Sequence, residues 1–231
     1  MTIKKDSIVL LSAGLDSTVN FYNALVETNV KLALTFNYGQ KAAQKEIQRA
    51  KIIADDNKIA HVVVDLPWMK ELGKSSLTQD KYAIPTGKSV LIDNQAASIA
   101  TAKSVWVPNR NGVFLNIAAS FAEGTGAEIL VPGFNREEAA TFPDNSLDFI
   151  RSVRKSFAYS VATKMDIQCY TIGMSKIEIV ELGVKVKVPF EKIWPCYQAK
   201  ELWCGECEPC KRTKRAFLAT RLDYKHLFEK Y

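Results

Sequence analysis

The sequence predicts an α/β protein whose parallel sheet is covered by helices on both faces. Short apolar runs, bounded by turn residues, recur along the 231-residue chain, and amphipathic helical patterns separate most of them. Such alternation implies βαβ units, which pack their helices against a buried parallel sheet. A composition of 47% apolar and 24% charged residues is that of a globular protein with a sizeable core.

The strand patterns are short runs rich in β-branched and aliphatic residues. Six are predicted, at residues 8–11, 32–36, 62–66, 105–107, 129–131 and 167–172. Between them, apolar side chains at spacings of three and four predict two longer helices. One helix passes through Phe114 and Phe121, and the other through Ile150 and Val161.

A third, shorter helix has its own start and stop signals. Ser175 is the predicted N-cap, Glu178 completes a capping box, and Gly183 is placed just past the last turn. The stretch from residue 67 to residue 104 has no period and many Gly, Pro, Ser and Lys residues. So long an irregular segment is typical of a functional loop or lid.

The first strand ends in a turn, SAGLDST, that opens the next helix. Such a turn gathers backbone N–H groups and the positive end of a helix around one point, which favours phosphate binding. The hydroxyls of Ser12, Ser17 and Thr18 can donate to phosphate oxygens, and Asp16 offers a carboxylate to Mg²⁺. From spacing alone, a purely structural turn capped by Asp16 or Ser17 is an equal alternative.

Four of the five cysteines lie close together near the C-terminus, at positions Cys196, Cys204, Cys207 and Cys210. Thiolates at two-residue spacing can point at one centre, and a full set of four predicts structural zinc with no open coordination position. An iron–sulfur cluster is the alternative, because CxxCxxC also occurs in ferredoxins. Cys169 falls in a strand pattern and is predicted to be a core residue.

Positive charge is concentrated at the C-terminal end. The net charge is +6, and residues 211–231 contain seven Lys or Arg against two acidic residues. RNA would be attracted to such a segment, but no aromatic residues alternate with the charges, which favours a solvated helix face. No apolar run reaches the roughly 18 residues of a membrane span, and residues 1–7 are too polar for a signal peptide, so a cytoplasmic location is expected.

These motifs occur in an order that resembles a known enzyme family. The turn resembles the SGGxDS motif of the PP-loop ATP pyrophosphatases, with Ala13 in place of the first glycine. FNYGQK, SSLT, VPNRNGVFLN, FPDNS and the cysteine knuckle then follow in the order of the 7-cyano-7-deazaguanine synthase (QueC) family. The form with FPDNS resembles archaeal members. Asn37 and the segment ATFPDNS depart from the more common bacterial pattern.

The resemblance implies a fold and a reaction. The fold is a Rossmann-like sheet of the adenine nucleotide alpha hydrolase (PP-loop) type at residues 1–190, with a zinc-binding segment packed on it at residues 191–231. The reaction is an ATP-dependent ligation that forms C–N bonds. It converts 7-carboxy-7-deazaguanine and ammonia to 7-cyano-7-deazaguanine through adenylated intermediates, on the way to queuosine or archaeosine in tRNA. ATP, Mg²⁺ and structural Zn²⁺ are the expected cofactors, and the expected assembly is a homodimer that does not bind tRNA directly.

The resemblance also assigns site residues. Asp16, Arg110 and Asp144 are the expected catalytic residues: a metal ligand, a clamp on pyrophosphate or substrate carboxylate, and an acceptor for the guanine-like face. The residues expected to bind ATP are Leu11, Ser12, Ala13, Gly14, Leu15, Asp16, Ser17, Thr18 and Val19. Ala13 is predicted to have a negative φ, with Gly14 in the strained position. The structural alternatives are a surface ion pair for Arg110 and a helix cap for Asp144.

Other functions stay open at this point. A PP-loop enzyme that adenylates a base in tRNA would grip RNA with the basic C-terminus. A non-catalytic nucleotide- or RNA-binding protein would tolerate a degenerate turn at Ala13, and a QueC-like enzyme redirected to a protein would carry the same motifs. Lys74 and Lys81 could close over a nucleotide, although a solvated loop is favoured.

Overall fold

The computed structural model describes residues 4–231, and its centre is a five-stranded parallel sheet. The strands are β1 (Asp6–Leu10), β2 (Asn29–Asn37), β3 (Ala60–Asp65), β4 (Ile129–Val131) and β5 (Asp166–Ile167). They lie in the order β3-β2-β1-β4-β5, and every neighbouring pair is parallel. The chain reverses its direction of travel across the sheet between β1 and β4. In open parallel sheets, ligands bind at the carboxyl ends of the strands at such a point.

Eight helices are assigned in the described chain. They are α1 (Leu15–Glu27), α2 (Ala43–Asp56), α3 (Gln95–Val105), α4 (Arg110–Thr125), α5 (Arg136–Ala139), α6 (Leu147–Ser160), α7 (Lys176–Lys185) and α8 (Glu208–Ala219). Single 3-10 turns lie at Pro67–Glu71, Gly87–Ser89, Pro143–Asn145, Phe190–Lys192 and Lys225–Leu227. None of the helices in residues 4–231 combines the length and the apolar character that a bilayer crossing requires.

Apolar layers enclose the sheet, because successive side chains of a strand point to opposite faces. Ile8 of β1 belongs to the layer that α4 and α6 complete, and its neighbour Val9 belongs to the layer of α1 and α2. Both side chains are fully buried. A further cluster joins α1 and α7 to the C-terminal segment through Trp194 and Phe217. The segment that carries the cysteines is therefore packed directly beside the start of α1.

Most of the predicted elements are present. The strand patterns at 8–11, 32–36, 62–66 and 129–131 correspond to β1 to β4, and α4 and α6 cover the two amphipathic stripes. The predicted strand at 105–107 is wrong, because Val105 ends α3 and Val107 is a buried residue of the connection to α4. A short apolar run does not distinguish a strand from the end of a buried helix. The sequence did not predict α3, because its residues are mostly small and form no apolar stripe.

The last predicted strand is shorter than expected. β5 pairs only at Asp166 and Ile167, and from Tyr170 the chain turns to α1, where the Tyr170 N–H donates to the side chain of Asn20 at 2.8 Å. The capping box of α7 is present as predicted at Ser175 and Glu178. Gly183 does not end that helix, however, because the helix continues to Lys185. A Cβ at 183 would lie 2.6 Å from the Phe190 ring, so close packing requires the glycine.

Candidate active site and metal centre

A cavity of about 210 Å³ opens at the carboxyl ends of the central strands, where the strand order reverses. The β1–α1 turn, the loops after β2 and β4, the start of α4 and the segment before the cysteines form its walls. Its polar and charged lining includes Ser12, Asp16, Ser17, Gln40, Glu46, Arg110, Asn111, Glu138, Asn145, Lys176 and Thr213. The predicted phosphate turn and the predicted arginine therefore face one cavity.

The hydroxyls of the turn are hydrogen-bonded to each other. Ser12 Oγ and Ser17 Oγ are 3.0 Å apart, the Gly14 N–H donates to Ser12 Oγ at 3.3 Å, and Ser17 Oγ donates to the Gly14 carbonyl at 3.2 Å. Both hydroxyls line the cavity. Each can exchange its partner in the turn for a phosphate oxygen, which is a stronger acceptor because it is charged.

The remaining residues of the predicted ATP site divide into two groups. Leu11 and Leu15 line the cavity with the serines. The side chains of Ala13, Thr18 and Val19 are fully buried beneath it and form none of its lining. These three residues support the turn from below, and their side chains do not face the space that a nucleotide would occupy.

The expectation of a negative φ at Ala13 is wrong. Ala13 has a φ of 59°, in the left-handed region, whereas Gly14 has a φ of −64°. The Ala13 carbonyl accepts a hydrogen bond from the Trp194 N–H at 2.7 Å, and its methyl group is fully buried in the layer around α1. A left-handed alanine costs about 1–2 kcal/mol. Burial of the methyl group, about 0.8 kcal/mol, offsets part of that cost.

The loop after β4 touches the start of α1 through a glycine. A Cβ at Gly133 would lie 2.6 Å from both the backbone N and the Cα of Ser17. Backbone atoms cannot yield as the end of a flexible side chain does, so a side chain at 133 would displace the Ser17 end of the turn. Gly133 therefore fixes the distance between two of the segments that form the cavity, the β1–α1 turn and the loop after β4.

We expect Gly133→Ala to lower turnover by about 10- to 100-fold, because a displacement of about 1 Å in a reacting site has effects of this size. The expected loss of unfolding free energy is about 1–3 kcal/mol, typical of overpacking. Gly124→Ala is the matched control, since Gly124 is exposed on α4 and a Cβ there meets nothing within 4 Å. Equal activity in the two variants, measured at equal folded fraction, would contradict the assigned role of Gly133.

A buried lysine, Lys176, lies at the base of the cavity, and the predicted site residues do not include it. Lys176 Nζ lies 2.5 Å from Asp16 Oδ2 and 2.7 Å from Glu138 Oε1, and its side chain is 4% exposed. Asn135 Nδ2 also donates to Asp16 Oδ2, at 3.1 Å. The other oxygen, Asp16 Oδ1, is buried and has no hydrogen-bond partner within residues 4–231. Two carboxylates thus share one ammonium group.

The charge states of this group follow from its burial and its partners. Burial raises the pKa of Asp16 to about 6, although the Lys176 ammonium acts in the opposite direction. Burial alone would lower the pKa of Lys176, but Asp16 and Glu138 outweigh it, and the pKa lies above its usual value. Lys176 is therefore a cation at neutral pH, placed where the phosphates of a nucleotide on the turn would need one.

One signal in the sequence pointed to Lys176. A lysine at the first position of a helix meets the positive end of the helix dipole, which is unfavourable without acidic partners. Lys176 follows its N-cap Ser175 directly, so the position indicates a tertiary partner. The capping box by itself explains where α7 begins, so the sequence pattern does not single out the lysine.

Arg110 is the first residue of α4 and lines the cavity, as expected for a clamp. Its Nη1 lies 3.4 Å from Tyr38 Oη, and its guanidinium lies over the Tyr38 ring, 5.8 Å from the centroid. Asp144 lies in the 3-10 turn before α6, where it is half-buried and outside the lining, although its neighbour Asn145 lines the cavity. Asp144 caps no helix, because Ser146 is the N-cap of α6.

Part of the cavity wall is aromatic and contains a further carboxyl group, that of Glu46. The rings of Phe36 and Phe114 stack with centroids 4.1 Å apart. Glu46 accepts a hydrogen bond from Gln40 Nε2 at 2.8 Å, and burial raises the pKa of Glu46 to about 7. This wall suits a planar ring with polar edges. Lys74 and Lys81 lie on the exposed surface and do not line the cavity.

The four predicted cysteine ligands lie together. Their Sγ atoms are all within 4.8 Å of one another, and the pairs Cys204–Cys210 and Cys196–Cys207 are 4.0 Å apart. Tetrahedral zinc with Zn–S bonds of about 2.3 Å places sulfurs about 3.8 Å apart, so the set fits the ion. Cys169 is separate: it is partly buried and bonds to the backbone of Phe134.

Backbone N–H groups point at the sulfurs, as expected around thiolates. Glu206 and Cys207 donate to Cys204 Sγ at 3.4 and 3.3 Å, and Gln198 and Cys204 each donate to Cys196 Sγ at 3.4 Å. Such second contacts orient the ligands and stabilise their negative charge. The donor set, four soft sulfurs without an open side, matches a structural zinc site.

The basic C-terminal residues are used within the fold. Lys211 Nζ donates to the carbonyls of Gly87 and Val90 at 2.7 and 2.8 Å. Arg212 is buried, and Arg215 forms ion pairs with Glu137 and with Asp93. The expectation of a solvated helix face is therefore wrong for these residues, which attach α8 to the irregular stretch and to α5.

The sequence of the chain is similar to that of known proteins along most of its length. A family model described as Queuosine biosynthesis protein QueC matches residues 6–221. The chain belongs to the QueC family. A 7-cyano-7-deazaguanine synthase of Bdellovibrio bacteriovorus is 55% identical over 99% of this chain and 100% of that protein. The protein of the same name from Methanosarcina barkeri is 44% identical over 91% of this chain and 93% of that protein.

One solved structure has a fold similar to that of the QueC-family chain. A structure titled 4-thiouridine synthetase–RNA complex with bound ATP superposes with a TM-score of 0.50 and 21% identity, over 81% of this chain and 42% of that chain. At this identity the match shows a shared fold. The predicted parallel-sheet α/β architecture and the family resemblance are confirmed.

Proposed function

We propose that this QueC-family chain converts 7-carboxy-7-deazaguanine and ammonia to 7-cyano-7-deazaguanine with ATP. One observation carries the proposal: the cavity joins the SAGLDS turn to a buried ammonium at Lys176 and to Arg110. Proteins named 7-cyano-7-deazaguanine synthase are similar to the chain along nearly its whole length. A serine-rich turn beside two cations suits the binding of a triphosphate and the transfer of its adenylyl group.

The chemistry explains why ATP is needed. The carboxylate oxygen of the substrate attacks the α-phosphorus and pyrophosphate leaves, which gives an acyl adenylate. Ammonia then attacks the acyl carbon, AMP leaves, and a proton is lost to give the amide. In a second round the amide oxygen attacks another α-phosphorus, pyrophosphate leaves, and departure of AMP with two protons forms the nitrile. The same cavity serves both rounds, so each nitrile consumes two ATP.

The residues of the candidate site have separate roles in this proposal. Ser12, Ser17 and the Gly14 N–H donate to phosphate oxygens, and Lys176 balances the charge that develops on pyrophosphate as it leaves. Arg110 holds pyrophosphate or the substrate carboxylate in line with the α-phosphorus. We propose that Asp144 accepts hydrogen bonds from the guanine-like face of the substrate; it is the neighbour of Asn145, which lines the cavity.

We propose that Mg²⁺ is bound with ATP by Asp16, with Glu138 as the second carboxylate of the cavity floor. Carboxylate oxygens are the ligands that this ion prefers, and Asp16 Oδ1 has no hydrogen-bond partner within residues 4–231. When bound, the ion would neutralise charge on the phosphates. We further propose that Zn²⁺ occupies the cysteine set, that residues 1–190 and 191–231 are the catalytic domain and its zinc-binding appendage, and that the enzyme is a cytoplasmic homodimer.

The test is the product spectrum of the purified chain. Incubation with 7-carboxy-7-deazaguanine, ATP, Mg²⁺ and ammonium is expected to yield 7-cyano-7-deazaguanine by mass spectrometry, with two AMP and two pyrophosphate for each nitrile. We propose that ammonia is used free, so glutamine in place of ammonium should not support turnover. Release of AMP only when tRNA or an acceptor protein is added would refute the proposal and favour a macromolecular substrate.

A further inference from the structure

We propose that Arg212, on the helix that follows the cysteine centre, is a positioning residue for Lys176. The inference rests on the proposed function in one respect, because it assumes that Lys176 contacts ATP. Arg212 lines no part of the cavity. Its effect on the site passes through Glu137 and the short helix α5.

The cysteine centre sets the position of Arg212. The N-cap of α8 is Cys207, and Cys210 lies in its first turn, so two of the four metal ligands fix the start of this helix. Arg212 follows within the next turn, and its side chain is 6% exposed. Its guanidinium forms ion pairs through Nη1 with Glu137 and through Nε with Glu208. An arginine fork that meets two carboxylates in this way has a defined orientation.

Glu137 transfers this orientation to the start of α7. Its Oε1 accepts a hydrogen bond from the backbone N–H of Lys176 at 2.8 Å, while its Oε2 takes the ion pairs from Arg212 and from Arg215, the latter at 2.5 Å. The backbone of Lys176 is thus attached to a carboxylate that the basic face of α8 holds in place.

Glu138, the residue after Glu137 in α5, binds the side-chain ammonium group of Lys176. Glu138 Oε1 lies 2.7 Å from Lys176 Nζ, and the backbone N–H of Glu138 donates to Asn135 Oδ1 at 2.9 Å. Consecutive residues of α5 therefore bind the backbone and the ammonium of one lysine. Because α5 has only four residues, it depends on neighbours for its position, and Arg212 is its buried anchor.

Stability alone is a weak explanation for this network. Buried ion pairs are often no more stabilising than apolar residues of the same volume, because both charges lose their hydration. What such a network provides is a fixed geometry. Here the fixed object is an ammonium group at the floor of the cavity, where small displacements have large effects on bound phosphate.

ATP affinity measured by titration calorimetry tests the proposal, with unfolding temperature and zinc content measured on every variant. Arg212→Lys keeps the positive charge but cannot reach both carboxylates, and we expect about tenfold weaker ATP binding. Glu137→Gln interrupts the same path at its middle and should have a similar effect. The two changes combined should weaken binding no more than either alone, because they break one path. Arg221→Gln, at an exposed cation outside the network, is expected to leave ATP binding unchanged.

The decisive comparison uses a background without the lysine. This background is the double variant that combines Lys176→Met with Glu138→Gln. Adding Arg212→Lys to the double variant should alter its ATP affinity less than twofold. An equal loss in both backgrounds, or unchanged affinity in folded, zinc-loaded Arg212→Lys, would overturn the inference. Failure of the proposed function would appear differently: wild-type protein would bind ATP without forming the nitrile, and the ATP titrations would still report on Arg212.

Discussion

Replacement of Cys204 by serine is expected to abolish stable folding of the chain. Cys204 is buried, its Sγ lies 4.0 Å from that of Cys210, and backbone N–H groups of Glu206 and Cys207 point at it. Structural zinc contributes about 10–16 kcal/mol in small zinc-binding peptides. A typical domain has about 5–15 kcal/mol of stability in total, so loss of the ion removes most or all of it. Zinc content by atomic emission and thermal unfolding measure the outcome.

The fifth cysteine provides the control for this experiment. Cys169→Ser changes the same atom at a site outside the cysteine cluster, where the sulfur hydrogen-bonds to the backbone of Phe134 and to Thr171. This variant should retain one zinc per chain and unfold within a few degrees of the wild type. A strong chelator should convert the wild type to the behaviour of Cys204→Ser. A zinc-free wild type, or a Cys204→Ser variant with normal zinc content and stability, would contradict the assignment of the centre.

Lys176→Met is expected to lower kcat by about 10²–10³-fold, the range seen when one preorganised donor to developing charge is removed. The change also leaves Asp16 and Glu138 facing each other without their ammonium, which costs about 3–5 kcal/mol for a buried pair. Activity must therefore be measured at known folded fraction. Initial rates of pyrophosphate release, combined with unfolding curves, separate the two effects.

A charge-neutralised variant distinguishes catalysis from stability. Lys176→Met combined with Glu138→Gln removes one of the two unpaired carboxylates, so its unfolding temperature should recover toward that of the wild type. Its turnover should stay low, because the cation itself is missing. Recovery of turnover together with stability would mean that Lys176 only balances charge in the folded chain.

Much of the sheet and two of its longer helices were predictable from the placement of apolar residues, which form continuous runs in the strands and recur at spacings of three and four in the helices. β1 to β4 and the helices α4 and α6 all have such patterns, and the capping box marked the start of α7. α3 was not predictable, because small residues give it no stripe. The end of β5 was missed for a different reason: the Gln168 N–H still donates to the Leu130 carbonyl, but the Tyr170 N–H donates to the side chain of Asn20, a tertiary contact that no local pattern encodes.

The site was predictable where chemistry and spacing coincide in one short segment. The turn at Ser12 and the four cysteines are such segments. Lys176 and Glu138 could not be paired from the sequence, because only the fold brings their helices together. The sign of φ at Ala13 could not be predicted for a related reason. Its positive φ is supported by the hydrogen bond from the Trp194 N–H and by burial of its methyl group, and the residues that provide both lie in other parts of the chain.

A crystal structure with a slowly hydrolysed ATP analogue and Mg²⁺ would test the central claim most directly. The account predicts the triphosphate against the hydroxyls of Ser12 and Ser17, with Lys176 Nζ and Arg110 within hydrogen-bond reach of its oxygens. A nucleotide bound elsewhere, with the Ser12–Ser17 contact intact and Lys176 still directed only at Asp16 and Glu138, would contradict it.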